Sequence, residues 1–248
     1  MVSIVWAGMV TAGLTTVGYF TKKLDYDRGK ELRCCNSFAA GFSMFLFLAC
    51  TEWLFFNLSQ GSFWELHKVL CSNPKKTIGP DDVVAGDRLC VYIFAYMFQD
   101  VVQRVLANDV DFRYMCHHIA CMIGLILVLV FGQSPLHCIA MCVSEFSTPV
   151  VCLIEVAQTE GKNVKKFLEP CGILLNLLFP LRIMWFSYTF YCWICVYRTE
   201  SLLALTLDNI GYVLTFFLLV INWSWWLQLV WATAKMLIEQ NNTKAKEL

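Results

Sequence analysis

Two histidines, His117 and His118, stand side by side at the threshold of an apolar run that continues from Ile119 to Phe131, and Glu145 lies in the middle of the next apolar run. Arg182 sits in a later apolar run, and Asp100 and Arg104 in an earlier one. These residue types suit proton transfer and anion recognition. Imidazole accepts and delivers protons near neutral pH, a carboxylate can orient it, and a guanidinium holds carboxylate or phosphate in a planar fork. In a membrane such groups are costly. A charge at a bilayer centre costs roughly 2.5–3.5 kcal/mol on insertion scales, so segments that keep one usually turn it towards a bundle interior or cavity.

Spacing divides these residues into roles. Asp100 and Arg104 are four apart, which puts them on one helix face and predicts an intrahelical ion pair. His117 and His118 point about 100° apart on a helix, so they cannot grip one metal from a single face; no metal site is expected there. Either histidine could act as a base or an acyl carrier, with Asp100 or Glu145 orienting it. Glu145 belongs to the string Ser144-Glu145-Phe146-Ser147-Thr148-Pro149. Pro149 crowds the carbonyl four residues earlier, and a kink there opens backbone that the Ser147 and Thr148 hydroxyls can satisfy. Pro180 precedes Arg182 by two residues in the same way. Arg182 can pair with Glu145 across helices or hold a lipid phosphate, with pairing the safer reading. Asn222, among Trp223, Trp225 and Trp226, reads as interhelical glue. Together the imidazole pair, Glu145 and Arg182 are expected to converge on one internal hollow open to amphiphiles.

The elements that must position these groups are membrane helices. The chain is 58% hydrophobic and 15% charged, against roughly 25% charged in an average soluble domain, and its mean hydropathy is +0.58. Its formal net charge is zero, and no basic block with interleaved aromatics is present, which excludes a nucleic-acid partner. Thirteen cysteines mostly fall inside apolar runs, where thiols behave as small hydrophobes, and no metal site is read from them. Cys71 and Cys90 are the candidates for a bridge outside the membrane. About 20 apolar residues span the hydrocarbon core, and seven stretches approach that length: Val2–Phe20, Cys35–Asn57, Leu89–Leu106, Met115–Phe131, Leu136–Val156, Cys171–Val196 and Leu205–Lys235. The expected fold is therefore all-α, a polytopic bundle of six to seven transmembrane helices. Residues 1–32 form an anchor span and basic loop, 33–236 the main membrane domain and 237–248 a polar tail. The long connection from Leu58 to Arg88 reads as a loop without a domain of its own.

Positive residues favour cytosolic loops. With the N-terminus lumenal, Lys22, Lys23, Arg28, Lys30, Arg33, Arg113, Lys162, Lys165, Lys166, Lys235, Lys244 and Lys246 face the cytosol. They outnumber Lys68, Lys75, Lys76, Arg88 and Arg198 on the other side. The C-terminus is then cytosolic, where Lys244 and Lys246, three and five places from the end, resemble a dilysine retrieval signal for the endoplasmic reticulum, read by coatomer. A sequon at Asn241-Asn242-Thr243 offers a check on that side.

Taken in order, Tyr96 to Asp100, His117-His118, Glu145 to Pro149, Phe179 with Arg182, and Asn222 with Trp226 resemble the TLC-domain family of endoplasmic-reticulum membrane proteins, from about Arg33 to Met236. The resemblance implies a helix bundle around a lipid-accessible cavity, with Asp100, Glu145, Ser147, Arg182 and Asn222 binding or orienting lipid. Within the family, ceramide synthases carry a tandem histidine and a downstream His-Asp pair; this chain has Ser144-Glu145 instead. It therefore looks more like the small lipid-homeostasis members. The expected function is binding of lipid or acyl chains in membrane lipid homeostasis. An acyltransferase using acyl-CoA as co-substrate, with His117 and His118 catalytic, is the alternative. A non-enzymatic trafficking adaptor or cargo receptor working through its tail lysines is a further one. No cofactor is expected.

Overall fold

The computed structural model describes residues 28–72, 78–107, 111–131, 135–160, 164–197 and 205–247. Every regular element among them is helical: α1 (Arg28–Thr51), a π-helical turn (Glu52–Leu58), α2 (Phe63–Leu70), α3 (Pro80–Ala107), α4 (Phe112–Phe131), α5 (Pro135–Cys142), a 3-10 turn (Val143–Ser147), α6 (Thr148–Glu160), α7 (Val164–Tyr197) and α8 (Leu205–Glu247). Six stretches among the described residues are long and apolar enough to cross a membrane: Ala39–Leu58, Pro80–Leu106, Phe112–Phe131, Pro135–Glu155, Pro170–Cys195 and Asn209–Lys235. The chain is an all-α, multi-pass membrane protein. The first expected span, Val2–Phe20, lies outside the described residues.

Side-chain placement inverts that of a soluble domain. Val213, Trp231, Met184 and Leu177 are among the most exposed large apolar residues, whereas Asp100, His117, His118, Arg182 and Asn222 are all buried. Exposed apolar surface of this extent belongs in lipid, and polar groups turned inwards follow from their cost in hydrocarbon. A core of Leu54, Leu66, Leu70, Ile93, Leu136 and Ile139 fastens the π-helical turn and α2 onto α3 and α5.

Local chemistry sets the helix ends. Asp111 caps α4, its Oδ1 accepting from the Arg113 and Tyr114 backbone N–H groups at 2.8 and 3.0 Å. Pro135 opens α5, where its missing N–H costs nothing. Pro80 opens α3 in the same way, followed by Asp81 and Asp82, which complement the helix dipole. That start corrects the expected boundary at Leu89. Asp87 and Arg88 read as loop residues in the sequence, but the proline start and acidic first turn favour helix well before them.

The connection from Leu58 also differs from a plain loop, because it contains α2. Ser62 caps that helix, its Oγ accepting from Glu65 N at 3.4 Å. Cys71 lies beside His67 and Cys192, and Cys90 against Cys138. Both thiols are free, so no Cys71–Cys90 bridge is formed. The C-terminal tail continues α8 as helix through Lys244 and Lys246 to Glu247.

Candidate functional site

The span Pro135–Glu155 is broken where Pro149 predicts. Proline has no N–H to donate to the carbonyl of Glu145. The chain tightens there into the 3-10 turn, and Thr148 N–H bonds to Glu145 O instead. The turn presents Glu145, Ser147 and Thr148 to α7. From α7, Arg182 Nη2 donates to Glu145 Oε1 at 2.5 Å and Nη1 to Oε2 at 3.0 Å, the bidentate geometry of a strong charge-assisted pair. Nη1 also reaches Ser147 Oγ at 3.1 Å and Thr148 Oγ1 at 3.3 Å, and the Thr148 hydroxyl donates to Glu145 Oε2. Nε donates to Asn222 Oδ1 at 2.6 Å, while Asn222 Nδ2 donates to Leu218 O at 2.8 Å. Every nitrogen of the guanidinium is thus engaged by protein.

His117 meets the same carboxylate from α4, its Nε2 3.5 Å from Glu145 Oε1 and 3.8 Å from Cys121 Sγ. An ionised carboxylate only accepts, so bonding to it puts the proton on Nε2 and leaves the Nδ1 lone pair available. Nδ1 is buried and has no partner among the described residues. The indole of Trp225 lies 5.2 Å from the imidazole, centroid to centroid.

His118 belongs to a different network. Its Nε2 is 3.2 Å from Asp100 Oδ2, and its Nδ1 is 3.0 Å from the Tyr114 carbonyl oxygen. The Tyr114 hydroxyl donates to Asp100 Oδ2. Arg104 Nε lies 3.6 Å from the same oxygen, the intrahelical pair that the four-residue spacing predicts. Arg104 also stretches 2.9 Å from its Nη2 to Glu155 on α6, with its guanidinium 4.0 Å over the Tyr114 ring. The two imidazoles are 5.5 Å apart at 72°. The helical turn per residue has sent the histidines to separate carboxylates.

One cavity adjoins the first of these networks. It is open on one side, and is lined by His117 and Glu145 together with apolar side chains such as Met97, Leu125, Val128, Met141, Phe186, Leu214 and Leu218. His137, Trp193 and Gly211 also line it. Along α4 the lining residues His117, Ala120, Cys121, Gly124, Leu125 and Val128 recur at the spacing of one helix face. From His117 to Val128, at 1.5 Å rise per residue, the wall runs about 16 Å, half of the ~30 Å hydrocarbon thickness. Its polar lining is sparse and its walls are apolar.

The expected convergence is therefore partial. His117 and Glu145 face the cavity, and Arg182, Ser147 and Asn222 stand with Glu145 in one network. His118 and Asp100 are gathered into the other, because consecutive helical residues cannot share a face. Sequence reasoning missed Tyr114 and Glu155, although Tyr114 sits four residues before His118 and Glu155 is the second acid in its apolar run. It also missed His137, whose Nε2 is 2.9 Å from the Leu70 carbonyl oxygen.

The family model described as the TLC domain matches residues 33–231. The chain belongs to the TLC-domain family. This match covers all six described spans apart from the last few residues of the sixth, and both polar networks of this TLC-domain protein fall inside it. Neither curated proteins nor solved structures match the chain. Membership makes it a membrane protein of a lipid-related family, and the chemistry within that family rests on the site itself.

Proposed function

We propose that this TLC-domain protein binds the acyl chain of a membrane lipid in the cavity between α4, α5, α7 and α8, and that it acts in lipid homeostasis in the endoplasmic reticulum. One observation carries the reading: a long apolar cavity has His117 and Glu145 among its lining residues, and His117 Nδ1 is buried without a partner among the described residues. A buried acceptor without a donor costs about 1–3 kcal/mol. A lipid hydroxyl or amine placed there would satisfy it while the chain fills the apolar walls. Sites with apolar walls and few convergent polar groups are typical small-molecule pockets. Residence in the endoplasmic reticulum, with a lumenal N-terminus and cytosolic C-terminus, is supported by the bias of basic loops and by Lys244 and Lys246 as a coatomer-read tail.

A photoreactive acyl lipid with a hydroxyl head, incorporated in nanodiscs, should label Met141 or Leu214 in the wild type. Labelling should fall in His117→Phe, which keeps the volume and removes the acceptor. Equal labelling of lipid-facing Met184 and of the cavity residues would refute specific binding.

The second reading, acyl transfer from acyl-CoA, is favoured by the His117–Glu145 arrangement. A carboxylate that fixes one imidazole nitrogen leaves the other free to take a proton from an attacking hydroxyl or amine. In that reaction His117 Nδ1 receives the proton as the nucleophilic oxygen or nitrogen bonds to the thioester carbonyl carbon. The coenzyme thiol leaves with a proton. Labelled acyl-CoA offered with amine and hydroxyl lipids should yield labelled product with wild type and none with His117→Ala. Transfer that survives this change would overturn the histidine mechanism.

A further inference from the structure

A second constellation of ligating atoms lies away from the histidine doublet, where α2 packs on the end of α7. His67 and Cys71 stand one turn apart at the end of α2, with the Cys71 backbone N–H bonded to His67 O at 2.9 Å, so both side chains leave the same face. That face meets Cys192, near the end of the Pro170–Cys195 span. One ligand atom from each of the three lies within 4.8 Å of the others. His67 Nδ1 is 3.7 Å from Cys71 Sγ. Tetrahedral zinc, with Zn–S near 2.3 Å and Zn–N near 2.0–2.1 Å, sets neighbouring ligand atoms about 3.6 Å apart. Only small rotations are needed to close the set.

From this geometry we propose that His67, Cys71 and Cys192 form a zinc site that ties α2 to α7 at the membrane boundary. The donor set selects the metal. Two sulfurs and an imidazole with no carboxylate or carbonyl oxygen from the protein suit zinc and not magnesium or calcium. Binding converts two thiols to thiolates with release of two protons, and two negative charges with a neutral imidazole cancel the dication. A neutral site is what a boundary of low dielectric tolerates: Cys192 is fully buried, while His67 and Cys71 are half-buried and leave a path for entry. The imidazole is already oriented, stacked 5.7 Å from Trp64 and 6.1 Å from Tyr188. The Tyr188 hydroxyl, 2.8 Å from Nδ1, yields that nitrogen to the metal. Water takes the fourth position. The sequence carried a signal that treating thiols as small hydrophobes passes over: His67 and Cys71 at i, i+4, and Cys192-Trp193-Ile194-Cys195 with its C-x-x-C spacing.

The test uses full-length protein purified in detergent with a phosphine reductant, loaded with zinc chloride and freed of excess, followed by elemental analysis. Wild type and Cys171→Ser, a half-buried thiol elsewhere on α7, should hold about one zinc per chain, and His67→Ala, Cys71→Ser and Cys192→Ser should each hold at least tenfold less. Because a ligand variant can fail to fold, zinc-edge X-ray absorption of wild type gives a separate reading, with two sulfur neighbours and two nitrogen or oxygen neighbours, the imidazole and the water, expected. Three results would each overturn the proposal: no zinc retained by the wild type, full occupancy in all three variants, or a Cys71–Cys192 disulfide in protein alkylated at cell lysis.

Discussion

Gly124 offers the sharpest test of the cavity. It lies on the α4 face that lines the hollow, and a Cβ built on it meets nothing within 4 Å. A Gly124→Leu side chain would therefore enter open space. Its four carbons displace about four methylenes of any acyl chain, and at roughly 0.8 kcal/mol per methylene brought from water this removes about 3 kcal/mol of binding. That is a loss of about 100-fold in affinity. The same change should not harm the fold, since glycine is about 0.8–1.0 kcal/mol less favourable than alanine inside a helix and leucine ranks close behind alanine. The assay is calorimetric titration of octanoyl ethanolamide, soluble and carrying a hydroxyl head, into protein held in amphipol, paired with thermal unfolding. Gly41→Leu is the control, because Gly41 also has free space around its Cβ but is exposed on α1, away from the cavity. Affinity unchanged in Gly124→Leu would show that the ligand does not occupy this cavity. A large drop in melting temperature would show that the face is packed and not open.

Other perturbations probe the walls and the topology. Arg182→Leu leaves Glu145 without its buried counter-charge and should cost about 3–5 kcal/mol, with much of the loss recovered in Arg182→Leu/Glu145→Leu; thermal unfolding of both reads this out. Gly211→Ala would set a Cβ 2.5 Å from Trp193 Cη2, an overpacking cost of about 1–3 kcal/mol, and Trp193→Phe in the same chain should relieve it. A tail on the cytosolic side leaves Asn241 unmodified, so Asn241→Gln should not change the glycosidase-sensitive mobility of the expressed protein, whatever the second sequon at Asn57-Leu58-Ser59 carries. A shift that Asn241→Gln abolishes would place the tail in the lumen.

Much of this architecture was legible in the residues. Apolar runs of spanning length marked the six described spans, because the bilayer fixes a helix's length more strictly than a soluble core does. Pro149 marked the break beside Glu145, and the spacing of Asp100 and Arg104 marked their contact. Partners across helices were harder to read. Nothing local says that Arg104 reaches Glu155 or that Asn222 holds Arg182 Nε, since those contacts depend on which helices pack together. The start of α3 was misjudged because charge at Asp87 and Arg88 was weighed above the proline and acids that begin the helix. The apolar end of the cavity had no sequence signal. Gly211 and Trp193 come from different helices, and their close approach is a tertiary fact.

The divergence of the neighbouring imidazoles has a practical consequence for genetics. Replacing the dipeptide as a unit would remove a ligand acceptor and, at the same stroke, strip Asp100 of a partner inside a buried ion cluster. An inactive double variant could owe its phenotype to degradation of a weakened protein. Only single substitutions, each scored for abundance as well as activity, can separate a chemical role at one position from a scaffolding role at the next.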